Sequence, residues 1–369
     1  MSKEKRVEAL KRDSLKQESS KQECKIHYNS LDWLRVLSAI GIILMHVRAN
    51  SGYHIDGFVY NRLIPSFTDL VFLFMVISGF SMCCGYYDKL RQHQISYEEF
   101  YGKRYKKTWP YFALLCLLDL VVSPSITALY EVFANLTLCF GLLPNAAISV
   151  IGVGWFLGVV FVFYLLFPFF CYLLSNKGRA WLAMGAALIF NILCQIYFLD
   201  AEHVTEQFQP RASFVYCAVF FLAGGMIFLY REQLGKIAGK YQWILLFLLL
   251  GTIAGYYILG SFVSLMLLAF SLLLIWALNC NWGGYLQKTI KFLSGITMEI
   301  YLCHMIIYRV IEKSGLCHFF KSDVISYILT SAGTLMGAVC FAVISRKVMA
   351  FIGKRMLSAR AFPLHVKER

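Results

Sequence analysis

The first apolar run of the chain, "SLDWLRVLSAIGIILMHVRAN" at residues 30–50, carries Arg35 near one end and His46 near the other. Asp32, Arg35, Ala39, Ile42 and His46 recur there at helical spacing. The eleven steps from Arg35 to His46 return a helix to within about 20° of the same face and separate the two residues by about 16 Å along its axis. An ionisable side chain inside a membrane span is costly and marks a functional site by default. Two on one stripe read as a polar path. Taken singly each has a simpler account, with Arg35 snorkelling to the headgroups or pairing with Asp32, and His46 sitting at the interface.

A second polar group lies in "LSGITMEIYLCHMII", residues 293–307, where Glu299, Tyr301 and His304 interrupt an otherwise apolar helix. A carboxyl at that depth must be neutral or paired, and Arg35, near the same membrane face, is the expected partner of Glu299. That ion pair leaves His46 and His304 without a role. The run "YGKRYKKTWPYF", 101–112, sets Arg104, Lys107 and Pro110 at three-residue intervals beside Lys103 and Lys106. Such a cluster can fix topology and touch anionic lipid, or clamp the phosphates of a cytosolic ligand through forked guanidinium and point-charge ammonium donors. Ser78 and Gly79 in "FLFMVISGF" read first as a small-residue helix contact, and Trp155 as an aromatic-belt residue.

These side chains need helices that cross a bilayer. The chain of 369 residues is 59% hydrophobic, against about 45–50% in soluble domains, which makes it an all-α polytopic membrane protein. Spans of about 17–25 apolar residues are expected at 31–49, 66–86, 109–124, 153–174, 179–199, 213–230, 242–259, 261–279, 293–312 and 323–345. The stretch 130–148 is apolar but broken by Asn135, Gly141, Pro144 and Asn145, and reads as interfacial or re-entrant. With ten spans and both termini cytoplasmic, most Lys and Arg fall in the inner segments, as the positive-inside rule asks. Residues 1–29 and 347–369 are then basic cytoplasmic tails flanking a transmembrane domain at 30–346. The N-terminus is too long and charged for a signal peptide. The formal charge of +14 follows from these tails and loops, and no nucleic-acid partner is expected. The 12 cysteines sit mostly in apolar runs, where they pack as small hydrophobes, so neither a disulfide framework nor a metal site is expected.

In order along the chain, "LDWLR" with His46 beyond it, "SGF" at 78–80, the Arg-x-x-basic-x-x-Pro run of 104–110, "WFL…FYLLFP" at 155–168 and "EIYLCH" at 299–304 resemble the acyltransferase 3 family. These are membrane proteins that O-acylate extracytoplasmic carbohydrates. The resemblance covers most of the chain and implies a bacterial plasma-membrane enzyme that takes an acyl group, by default acetyl, from cytosolic acyl-CoA. It implies His46 as the catalytic base, with Arg104 and Lys107 contacting the donor. A neutral imidazole can take the proton of an attacking hydroxyl. The oxyanion that forms needs a donor, for which Ser78, Tyr301 and His304 are the candidates, while Arg35 would orient phosphate or pantetheine or hold Glu299. Tyr301 is also a candidate contact to the donor.

Two positions depart from the family's pattern. Lys107 stands where many members have Arg, and Val160 where many have a glutamate. "EIYLCH" is similar to the branch without that acid, which includes acetyltransferases acting on enterobacterial common antigen. No SGNH-type domain is read in the chain. The alternative expectation is a transporter of a small polar solute such as an amino acid, like the membrane half of membrane-bound serine racemases, since an intramembrane Arg, Glu and His also suit a substrate or proton path. No pair of matching Gly/Pro-interrupted halves supports it.

Overall fold

The computed structural model describes residues 28–143, 148–204, 208–280 and 283–360. Among these every regular element is a helix. Lipid offers no water to the backbone, so each spanning segment must satisfy its own N–H and C=O groups. The helices used below are α1 (Asn29–Ser51), α2 (Val59–Arg91), α3 (Tyr97–Val122), α4 (Ile126–Thr137), α5 (Trp155–Leu174), α6 (Lys177–Phe198), α7 (Phe214–Leu229), α8 (Arg231–Lys240), α9 (Gln242–Leu259), α10 (Val263–Asn279), α11 (Gln287–Ser294), α12 (Thr297–Lys313) and α13 (Asp323–Arg360).

Among the described residues six helices are long and apolar enough to cross a membrane, and eight spans result if the bent pairs α7–α8 (78°) and α11–α12 (72°) each count as one. The expected number was ten. The difference lies in α3 and α10, which carry the expected spans 109–124 and 261–279. The first half of α3 holds Lys103, Arg104, Lys106 and Lys107, and Asp119 lies near its far end. Helix α10 is apolar but has 17 residues, about 26 Å against a hydrocarbon core of about 30 Å. Helix α13 continues past 345 to Arg360, so the first part of the expected C-terminal tail is helical.

Helices α1, α2 and the span containing α5 are more than half buried (61%, 56% and 61%), whereas α6 and α9 are 17% and 6% buried. The former make the protein core and the latter face lipid. Helix α2 crosses α7 backbone to backbone: a Cβ on Gly79 would lie 2.2 Å from the Phe221 carbonyl oxygen, and one on Gly224 would lie 2.1 Å from that of Val76. This is the small-residue contact expected of the "SGF" stretch, and dispersion across such a close approach is what joins helices in lipid.

The segment after α3 turns back along it. Ser125 caps α4 by accepting from the Ala128 N–H at 2.9 Å, and α4 then runs back along α3. Trp109 of α3 donates to Leu136 O at 2.7 Å and Tyr105 to Thr137 O at 3.3 Å, so α4 ends level with the middle of α3. There Gly141 meets the backbone of Gly158 in α5, and buried Asn135 donates to Val150 O at 3.1 Å. The polar breaks that mark 130–148 in the sequence thus fall where the chain turns back between α3 and α5, within the described part of that stretch. Pro144 and Asn145 lie outside the described residues.

Candidate active site

Helix α1 is the spine of the site. Toward its C-terminal end, half-buried His46 faces His304 of α12, with ring centroids 5.1 Å apart and planes inclined at 45°. Tyr327 of α13 donates to Leu44 O at 3.0 Å, holding α1 two residues from His46. His304 is fully buried, and its Nδ1 lies 2.5 Å from the Tyr301 carbonyl oxygen. A carbonyl only accepts, so Nδ1 carries the proton and Nε2 keeps its lone pair. That Nε2 makes no hydrogen bond among the described residues. Tyr301 in turn donates its hydroxyl to Val153 O at 2.7 Å, tying α12 to the turn that starts α5, and its ring packs on Phe156 and His304.

The N-terminal end of α1 carries a cationic cluster. Helical side chains lean toward the N-terminus, and Arg35 accordingly reaches back to Ser81 Oγ (2.6 Å) and Asp32 (3.6 Å). Asp32 also accepts from Ser294 at 2.6 Å. Arg104 donates to the Tyr86 hydroxyl at 2.6 Å and lies over the rings of Tyr86 and Tyr164. Lys107 is exposed, yet it is within electrostatic reach of Arg104, Arg35, Glu299 and Arg346. Its ammonium therefore senses charges on α1, α12 and α13. Arg35, Arg104, Lys107 and Arg346 outnumber Asp32 and Glu299 there, which suits a polyanionic ligand.

The expected Arg35–Glu299 pair does not form. Glu299 pairs with Arg346 at 3.6 Å, and Arg346 also donates to Gly295 O at 3.0 Å. Arg346 pre-empts Arg35 because α13 continues past 345, the expected end of its span, and Arg346 is the first residue beyond it. Ser78 belongs to the cationic end. Gly41 packs against Leu70, and from that contact antiparallel α1 and α2 carry His46 and Ser78 in opposite directions, about 20 Å apart along the axis. Tyr301 lies with the histidines instead of with Arg104 and Lys107, and its hydroxyl proton is committed to Val153.

Sequence reasoning passed over two polar residues on the histidine side of the site. Arg211, which reads as a stray loop cation, is within electrostatic reach of His46 and Tyr301 and sits over the Trp155 ring at 5.7 Å. Asp69, at the start of the apolar run of α2, accepts from Tyr256 at 2.6 Å. Neither carries a sequence signal beyond being polar at the end of a span. Trp155 thus supports an arginine as well as marking the interface. No group of three or more metal-ligating side chains occurs among the described residues.

A multi-pass helical membrane protein with cations at one end of a buried helix and a histidine pair toward the other has the layout of a membrane-embedded transferase. The family model described as an acyltransferase domain, acyltransferase 3, matches residues 28–346, and the chain belongs to that family. No curated protein and no solved structure matches it.

Proposed function

We propose that the protein moves an acyl group, acetyl by default, from acyl-CoA held at the cationic end to a hydroxyl of a carbohydrate offered at the opposite end. The cationic end faces the cytosol of a bacterial plasma membrane, with ten spans and both termini inside. Arg104 and Lys107 meet the phosphates of the donor, joined by Arg35 and Arg346. The pantetheine arm runs along the α1 face, about 16 Å from the level of Arg35 to that of His46. His46 takes the proton of the acceptor hydroxyl as its oxygen bonds to the thioester carbonyl carbon. Collapse breaks the C–S bond, and the departing sulfur receives that proton, leaving an ester and free CoA. His304 Nε2, a fixed acceptor, shares the proton held by His46. Arg211 supplies positive charge beside the reacting carbonyl.

The observation that carries this reading is the His46–His304 pair, 5.1 Å apart, with the tautomer of His304 set by Tyr301. A core packing role does not call for an unpartnered imidazole nitrogen, which costs about 1–3 kcal/mol when buried. The test uses purified protein in nanodiscs with radiolabelled acetyl-CoA and a carbohydrate extract of the envelope. Label in a covalent carbohydrate product, with release of CoA, is expected. Counterflow of a labelled amino acid without release of CoA would replace this reading with transport.

A further inference from the structure

Between the start of the apolar run of α2, the start of α7 and the turn before α10 lies an open cleft of about 290 Å³ whose walls include Asp69, Phe72, Gln209, Arg211, Tyr216 and Ser261. Its volume is at the lower end for small-ligand sites, about 300 Å³, enough for one sugar ring. Asp69 and Arg211 attract each other across it but form no ion pair. Each is held from behind: Asp69 Oδ2 accepts from Tyr256 at 2.6 Å, and Arg211 donates from Nε to Gln209 at 2.7 Å and from Nη1 to Thr68 at 2.6 Å. Asp69 Oδ1 and Arg211 Nη2 have no hydrogen-bond partner among the described residues. Opposite charges kept apart in this way leave an acceptor and a donor facing a guest.

We infer that this pocket is the acceptor subsite, holding a single pyranose unit with one hydroxyl donating to Asp69 and another accepting from Arg211. The inference rests on the acyl-transfer reading. A hydroxyl both donates and accepts, so adjacent ring hydroxyls fit a split carboxylate–guanidinium pair. The rings of Phe72 and Tyr216, 6.1 Å apart, give an apolar wall for the C–H face of the sugar. Gln209 and Ser261 add neutral partners that a small zwitterion does not need. Arg211, which lines the cleft, is also within electrostatic reach of His46 and Tyr301.

The experiment measures binding of methyl glucoside, methyl N-acetylglucosaminide and serine to the full chain in nanodiscs by saturation-transfer NMR, alongside transfer from labelled acetyl-CoA to the same glycosides. At least one glycoside is expected to bind. Its affinity should fall at least tenfold in Asp69→Asn and Arg211→Gln, and in Ser261→Trp, which fills the pocket from an exposed position and guards against misfolding of the other two. Glycoside affinity within twofold of wild type in Ser261→Trp and Asp69→Asn would overturn the inference. So would binding of serine alone, or of none of the three probes. Glycoside binding that the variants lose, without acyl transfer by the wild type, would keep the sugar site and sink the acyl-transfer reading. Transfer by the wild type with an unmoved acceptor KM in the variants would do the reverse.

Discussion

Replacing His304 with leucine separates a catalytic from a packing role. The side chain is fully buried, and leucine is close to it in volume, so no large cavity opens. Two polar contributions change. The hydrogen bond from Nδ1 to Tyr301 O is lost, at about 1 kcal/mol, while the Tyr301 carbonyl keeps its place in the helix ladder. The unpartnered Nε2 disappears, relieving about 1–3 kcal/mol of desolvation. Leucine also has a helix propensity a few tenths of a kcal/mol better than histidine. The balance is a protein as stable as wild type or about 2 kcal/mol more stable. Loss of a group that shares the proton of the base should cost about 10²-fold or more in transfer, the lower end of general acid–base contributions. The assay pairs the thermal midpoint in nanodiscs with the rate of acyl transfer. A midpoint several degrees lower would make His304 a structural residue, and transfer within threefold of wild type would remove it from the chemistry.

Other substitutions test the remaining parts. His46→Ala is expected to abolish acyl transfer while the protein still inserts and purifies as wild type, and transfer by a correctly inserted variant would remove His46 from the mechanism. Arg35→Lys keeps the charge but loses the forked contact to Ser81 and Asp32, so the KM for acyl-CoA should rise about tenfold, equivalent to about 1.4 kcal/mol, and steady-state kinetics read it directly. Gly224→Ala drives a Cβ against the Val76 carbonyl and the Phe80 N–H and should cost about 1–3 kcal/mol or more, seen as a lower thermal midpoint. Gly251→Ala in α9, where a Cβ meets nothing within 4 Å, should be neutral or stabilising by up to about 1 kcal/mol.

Much of the layout is written in one dimension. The stripe from Arg35 to His46 depends only on helical periodicity, and the apolar runs that form α1, α2, α5, α6, α9 and α13 depend only on length and hydropathy. Pairing across helices does not. Glu299 and Arg346 meet because α12 and α13 pack side by side, and nothing in either segment says so. Arg35 was free to turn toward Glu299 or Asp32 until the direction of the α1 side chains decided for Asp32 and Ser81. Ser78, a candidate oxyanion donor in the sequence, is carried by antiparallel packing of α1 and α2 to the cationic end. Asp69 and Arg211 come together from the start of one span and a loop far along the chain, a juxtaposition that only the fold creates.

The crossing at Gly79 and Gly224 also limits traffic. With carbonyl oxygens pressed where side chains would otherwise stand, the backbones of α2 and α7 leave no room for a side chain at this crossing. If the donor is the thioester proposed above, its long flexible arm would be denied that flank and would have to pass on the other side of α2, along α1, α3 and α12.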